Sequence, residues 1–158
     1  IRASTPGFER SYIVEIAPQI GIRETRRVKG ALMVSEDDIL DCVDFPDSIG
    51  VNGWPVEAHI AGDVKFVFAR KPRGFNQLPY RMIVPLGVEN LLVAGRCAAM
   101  THEGQSSARV SGACFVMGQA AGTAAHLALT SGIPPRKLDV PQLQGRLERD
   151  GAYLGASW

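Results

Sequence analysis

The sequence predicts an α/β chain, α+β if these 158 residues are taken as a fragment. Three observations carry that reading. Residues 11–84 hold short alternating or apolar runs with one brief helical signal. Leu91-Leu92-Val93-Ala94 is a continuous apolar run bounded by Asn90 and Gly95, the pattern of a strand buried on both faces. A polar turn then leads into a helical stretch built from small residues that lasts to about Thr130. The strand-rich portion covers 1–84, and the strand and long helix belong to 85–158.

Each element has its own local reason. In residues 11–16, Tyr12, Val14 and Ile16 alternate on one face, as in a half-buried strand. Residues 22–28, Ile-Arg-Glu-Thr-Arg-Arg-Val, carry charge on both sides of a strand or bend. Ser35 stands as an N-cap, with Asp38 at the capping-box position before Ile39 and Leu40. Pro46, Gly50, Gly53 and Pro55 break the next section into turns. Residues 64–68 form a strand, and 79–84 lead to another. After Gly95 comes a connector to Gln105, with Ser106 and Ser107 as rival caps of the long helix. Gly132, Pro134 and Pro135 end that helix, and residues 139–149 form a last amphipathic helix on Val140, Leu143 and Leu147.

Composition excludes several classes. With 17 basic against 16 acidic residues the charge nearly cancels, which disfavours nucleic acid or an acidic membrane surface as partner. Hydrophobic residues make up 46% of the chain, enough for a core. Cys42, Cys97 and Cys114 are odd in number and widely spaced, so they read as reduced thiols of a cytoplasmic protein. The longest apolar stretch, 112–129, carries Gln119 and His126 and is too weakly hydrophobic for a membrane span.

The long helix is where chemistry concentrates. Glycines inside it cost about 1 kcal/mol each, so Gly118 and Gly122 imply close approach of a backbone or ligand. A helix begun at residues 106–109 exposes unpaired N–H groups and about half a positive charge, a place for an anion. Arg109 in its first turn opposes the dipole; its partner is an anionic ligand or Glu103 unless it is simply solvated.

Residues 91–96 (Leu-Leu-Val-Ala-Gly-Arg), 107–110 (Ser-Ala-Arg-Val) and 118–122 (Gly-Gln-Ala-Ala-Gly) resemble the C-terminal part of FAD-dependent oxidoreductases. The likeness is to the glutathione-reductase-like flavoproteins, on the fumarate-reductase-type branch. Residues 22–27, 36–39, 78–81, 84–85 and 143–154 agree more weakly. The resemblance implies the last strand and long helix of a Rossmann-like FAD-binding domain, preceded by part of a substrate or cap domain. It implies FAD as cofactor, with Gly95, Arg96 and Cys97 along the ribityl and ring. The amides near Ser107, Ala108, Arg109 and Val110 would face the flavin N1–C2=O edge, where reduced flavin carries charge. It also implies two-electron or hydride transfer at flavin N5 on a small-molecule substrate.

Two departures stand out. Arg96 replaces an acidic residue common in the group, and an arginine cannot accept hydroxyl hydrogen bonds. No two glycines lie at i and i+2, so these residues contain no GxGxxG and no adjoining pyrophosphate site. The expectation is that an N-terminal FAD-binding segment, of the same protein or of another chain, supplies that half. The chain is then a C-terminal portion, and the alternative is a non-catalytic module that packs on a partner.

Other sites are weaker. His59 is the best candidate for substrate contact or proton transfer, and Tyr80 with Arg81 could clamp an anion. Residues 104–108 miss a GxSxG elbow at Ala108, and His102-Glu103 lacks the second histidine of HExxH. His126 reads as packing, and Cys97 as either an inert thiol or a redox-active one beside the flavin.

Overall fold

The computed structural model describes residues 1–60 and 63–155, with His59 and Ile60 described in backbone only. Helix α1 (Glu36–Leu40) is followed by strands β1 (Ser48–Asn52), β2 (Val56–Ile60), β3 (Asp63–Val67) and β4 (Asn76–Pro79). Helices α2 (His102–Ala108), α3 (Ser111–Ser131) and α4 (Val140–Arg149) complete the order. The strands form two antiparallel pairs, β1 with β4 and β2 with β3.

Ser35 caps α1 as expected, its hydroxyl accepting from Asp38 N–H while the Asp38 carboxylate accepts from Ser35 N–H. The capping box tilts Ile39 and Leu40 into the core. Strand β3 lies where an apolar run forecasts one, and α4 buries Leu143 and Leu147 completely. Burying each such leucine is worth about 1.5–3 kcal/mol. Gly132 ends α3 in the left-handed conformation, with Pro134 following.

Several expectations are overturned. Residues 11–16 form no strand; Tyr12, Val14 and Ile16 are each more than three-quarters exposed, because no ladder partner among the described residues lies beside them. Residues 22–28 are likewise outside regular structure. The turn-rich reading of 46–55 missed β1, whose Gly50 is buried inside the strand. Residues 80–83 wind into a 3-10 turn, and the neighbouring strand is β4, just before it. Residues 91–94 are not a ladder strand either. Val93 N–H reaches the Ile83 carbonyl at 3.0 Å, and Leu91 is exposed, since among the described residues nothing pairs with this segment on both sides.

The largest correction concerns the helix start. Thr101, not Ser106 or Ser107, is the cap, accepting from Gly104 N–H at 3.0 Å. The chain then breaks at Arg109 and Val110, and the long helix begins at Ser111. Ala113, Met117, Ala120, Ala124 and Ala128 form the buried face of α3. The first four of them join one cluster with Val34, Leu78, Met82 and Leu143, so residues before and after 84 share a core. Gly118 and Gly122 lie on the other face with open space beside them, as do exposed Phe115 and Leu129. Among the described residues no helix is long and apolar enough to cross a membrane.

Gly104 shows how tightly α2 meets the core: a Cβ there would stand 2.5 Å from the Val34 carbonyl oxygen. Backbone cannot yield as a flexible side chain does. Gly104→Ala should therefore lose about 1–3 kcal/mol in denaturant unfolding despite its better helix propensity. Gly118→Ala, in open space, should instead gain up to about 1 kcal/mol.

Candidate functional site

The site is built where the turn at Gly95–Cys97 meets the first turn of α3. Gly95 is buried with φ of +79°, a conformation that favours glycine, and a Cβ would lie 3.4 Å from Cys114 Sγ. Each carbonyl of this turn has a donor. Ala98 N–H reaches Gly95 O at 3.0 Å, Gln105 Nε2 reaches Arg96 O at 2.7 Å, and Val28 N–H reaches Cys97 O at 2.9 Å. With its backbone held inward, the turn leaves the side chains of Arg96 and Cys97 exposed.

Helix α3 starts beside it without a side-chain cap: Val110 is the N-cap in extended conformation. The first helical backbone bond runs from Cys114 N–H to Val110 O at 3.0 Å. The preceding N–H groups, at Ser111, Gly112 and Ala113, therefore lack intrahelical acceptors at the positive end of a 21-residue helix. Ser111 and Gly112 are exposed and border a cleft of about 520 Å³ shared with Val51, Gly53 and Trp54. Cys114 ties the two parts together, its Sγ donating to Arg109 O at 3.2 Å while facing Gly95. Burial pushes the Cys114 thiol up, against a smaller opposite pull from the Arg96 charge.

Of the residues whose amides were expected to face a ligand, Ser107, Ala108 and Arg109 belong to α2 and its C-cap, and only Val110 stands at the start of α3. Arg109 N–H bonds Gln105 O at 3.1 Å as the C-cap of α2. Ser107 and Ala108 are fully buried. Ser107 Oγ donates to Trp54 O at 2.6 Å and accepts from Asn52 Nδ2 at 2.8 Å. Ser106 Oγ accepts Glu57 N–H at 3.1 Å and donates to Glu103 O at 2.7 Å. These serines fasten α2 to the neighbourhood of β2 instead of opening α3.

Arg109 has Glu57 as its partner, Nη2 to Oε2 3.3 Å, with both side chains near one-tenth exposed. Glu103, the sequence-based alternative, is not the partner. Trp54 Nε1 donates to the other Glu57 oxygen at 2.9 Å. Burial by itself would raise the Glu57 carboxyl, but hydrogen bonds from Trp54 and Arg109 outweigh it and hold it below its usual value. Sequence reasoning missed this pair, which joins positions 52 residues apart.

Gln105 was also missed. Its side chain is fully buried, and its Oε1 is without a hydrogen-bond partner among the described residues. The amide nitrogen is fixed at the Arg96 carbonyl, so Gln105 supports the turn from beneath. No sequence signal marked it, since Gln105 ends the connector from Gly95 and is followed by two further polar residues, Ser106 and Ser107.

Arg81 and Tyr80 sit apart, each with a partner. Arg81 Nε and Nη2 donate to the two Asp47 oxygens, both at 2.9 Å, and Arg81 N–H donates to Oδ2 at 3.0 Å. Tyr80 Oη donates to Pro135 O at 3.0 Å, and burial pushes its pKa up to about 12. His59 pairs through its backbone with Val64, and its side chain lies outside the described residues.

The Asp47–Arg81 fork makes a pH prediction. Burial alone would raise the Asp47 carboxyl, but the Arg81 hydrogen bonds win and lower it from 3.8. A depressed folded value means that the contribution is full above the unfolded value and is lost as pH falls through the folded one. The stability difference between wild type and Asp47→Asn, followed by urea unfolding, should thus be constant from neutral pH to about 4 and shrink below it.

Comparison with known proteins gives the family but assigns no role to these residues. A family model described as FAD dependent oxidoreductase matches residues 1–147. Comparison with curated proteins and with solved structures finds no match to this chain. The family match covers nearly the whole sequence, and the cofactor of that family is FAD. The chain belongs to the FAD-dependent oxidoreductase family.

Proposed function

We propose that the chain supplies the flavin-ring side of an FAD-dependent oxidoreductase acting on a small molecule. The observation that carries this is the uncapped start of α3, held against the Gly95–Cys97 turn through Cys114. The motifs at 91–96, 107–110 and 118–122 support the glutathione-reductase-like group and its fumarate-reductase-type branch. On this reading 1–84 is the substrate-side portion and 85–158 the C-terminal part of a Rossmann-like FAD-binding domain.

The residues present fit such a cofactor. Gly95 presents no side chain towards such a ring, and fully buried Gln105 holds the backbone of its turn through the Arg96 carbonyl at 2.7 Å. Gly95, Arg96, Cys97 and Val110 would border the ring, and the N–H groups of Ser111–Ala113 would favour charge on it. FAD, when bound, supplies two-electron redox chemistry. The chain's own part is electrostatic and positional: the helix start attracts negative charge, and the capped turn fixes Arg96 and Cys97. Ser107, Ala108 and Arg109 serve the site indirectly, by locking α2 and the α2–α3 junction in place.

A GxGxxG-bearing segment, of the same protein or of another chain, would hold the pyrophosphate, since the 158 residues have no such motif. The rival reading, a non-catalytic module packed on a partner, draws on the exposed Phe115 and Leu129 of α3. Flavin separates the two. Protein isolated together with its FAD-binding segment should be yellow and release FAD on denaturation; a colourless complex would reject the enzymatic reading.

The helix start can be tested directly. Gly112 has open space around it, so Gly112→Asp places a carboxylate there without a clash. The variant should be as stable as wild type or gain about 0.3–1 kcal/mol. Its FAD affinity, followed by fluorescence quenching, should nevertheless fall by about tenfold from charge competition.

A further inference from the structure

Beside the proposed ring site lies a second cleft, of about 410 Å³, within the range of small-ligand pockets. Its wall is the segment 22–26, facing Ala94, Arg96 and Cys97. That segment has no regular structure, yet it is tied down at several points. The Arg96 guanidinium donates to the Ile22 carbonyl, Glu24 Oε1 meets His102 Nδ1 at 2.7 Å, and Val28 N–H bonds Cys97 O at 2.9 Å.

The charges around this cleft do not balance. Arg23, Arg26 and Arg96 line it, and Glu24 is the single carboxylate among the lining residues. Glu24 is already engaged from outside the cleft by Arg27 and His102, whose hydrogen bonds outweigh burial and lower its pKa. Arg23 approaches Glu57 at 4.0 Å, a carboxylate that also serves Arg109. Arg26 makes no hydrogen bond or ion pair among the described residues and is exposed. Guanidinium groups gathered around one space repel each other, and their planar forks match carboxylate or phosphate oxygens.

We infer that this cleft binds a small oxyanion, carboxylate or phosphate, through Arg26 and Arg96 with Arg23 at its rim. As the seat of a substrate's anionic group it rests on the flavin placement proposed above, because Arg96 and Cys97 border both sites. As an anion site it stands on its own residues. The cleft is lined by the 22–26 segment and not by the α3 start, and adds a second attraction for negative charge.

The test uses the flavin-free chain, so that its failure is separate from failure to hold FAD. Calorimetric titration with malonate and with inorganic phosphate should show saturable binding of at least one of them. Arg26→Ala should weaken it by about tenfold or more, with partial recovery in Arg26→Lys, which restores charge without the fork. Arg146→Ala, which removes a surface pair with Asp150, should leave binding unchanged. Preference for malonate assigns a carboxylate ligand and preference for phosphate a phosphoryl one. Absence of saturable binding by either anion, or equal binding by folded Arg26→Ala and wild type, overturns the proposal. Circular dichroism and the melting curve establish folding, and the Arg26→Lys titration decides the matter should the alanine variant not fold.

Discussion

Helix α3 can lie where it does because two glycines leave room for its first turns. Gly50 of β1 receives Val116, which would collide with any Cβ at that position. Gly95 receives Cys114 in the same way, at ordinary contact distance. These approaches set the helix against the β1–β4 pair on one side and against the 95–97 turn on the other. The alanine face then fills the space between, with Met117 as its one large side chain. A side chain at Gly50 would push Val116 away from β1, whereas at Gly95 the φ of +79° is what disfavours any other residue.

Helix α2 is the second support, and it works by hydrogen bonding more than by apolar burial. Gln105 holds the 95–97 turn, Ser106 holds the backbone of Glu57, and Ser107 holds Trp54 and Asn52. Three consecutive polar side chains, all buried, thus reach different parts of the chain. Buried polar groups are costly unless satisfied, so this arrangement specifies one packing of α2. Gln105 Oε1, without a partner among the described residues, is the exception. The Glu57–Arg109 pair closes the same neighbourhood by joining the β2–β3 hairpin to the break between α2 and α3.

Charge is distributed around the site with a consistent sign. The free N–H groups of α3 attract negative charge, and Arg96 lies on the adjoining turn. The 22–28 strap adds Arg23 and Arg26 across a cleft shared with Arg96 and Cys97. The acidic residues nearby, Glu24 and Glu57, are each engaged by cationic or hydrogen-bonding side chains. A chain whose net charge is only +1 therefore carries a locally cationic region, a property of arrangement that composition conceals.

The sequence by itself determined what depends on local pattern. Ser35 and Asp38 mark α1, Gly132 and Pro134 stop α3, and Leu143 with Leu147 sets the inner face of α4. The motifs at 91–96 and 118–122 were enough to indicate the FAD-dependent family that the 1–147 match shows. Tertiary structure decided what depends on distant neighbours. The apolar run 91–94 looks like a strand, but a strand exists only with a pairing partner, and none appears among the described residues. Ser106 and Ser107 look like caps because the residue type fits, yet Thr101 reaches the free N–H first and leaves them inside α2. Arg109 looks available to a ligand until β2 brings Glu57 to it across 52 positions. Capping and periodicity act within a few residues, whereas pairing, burial and charge compensation act through space, and only the folded chain brings those partners together.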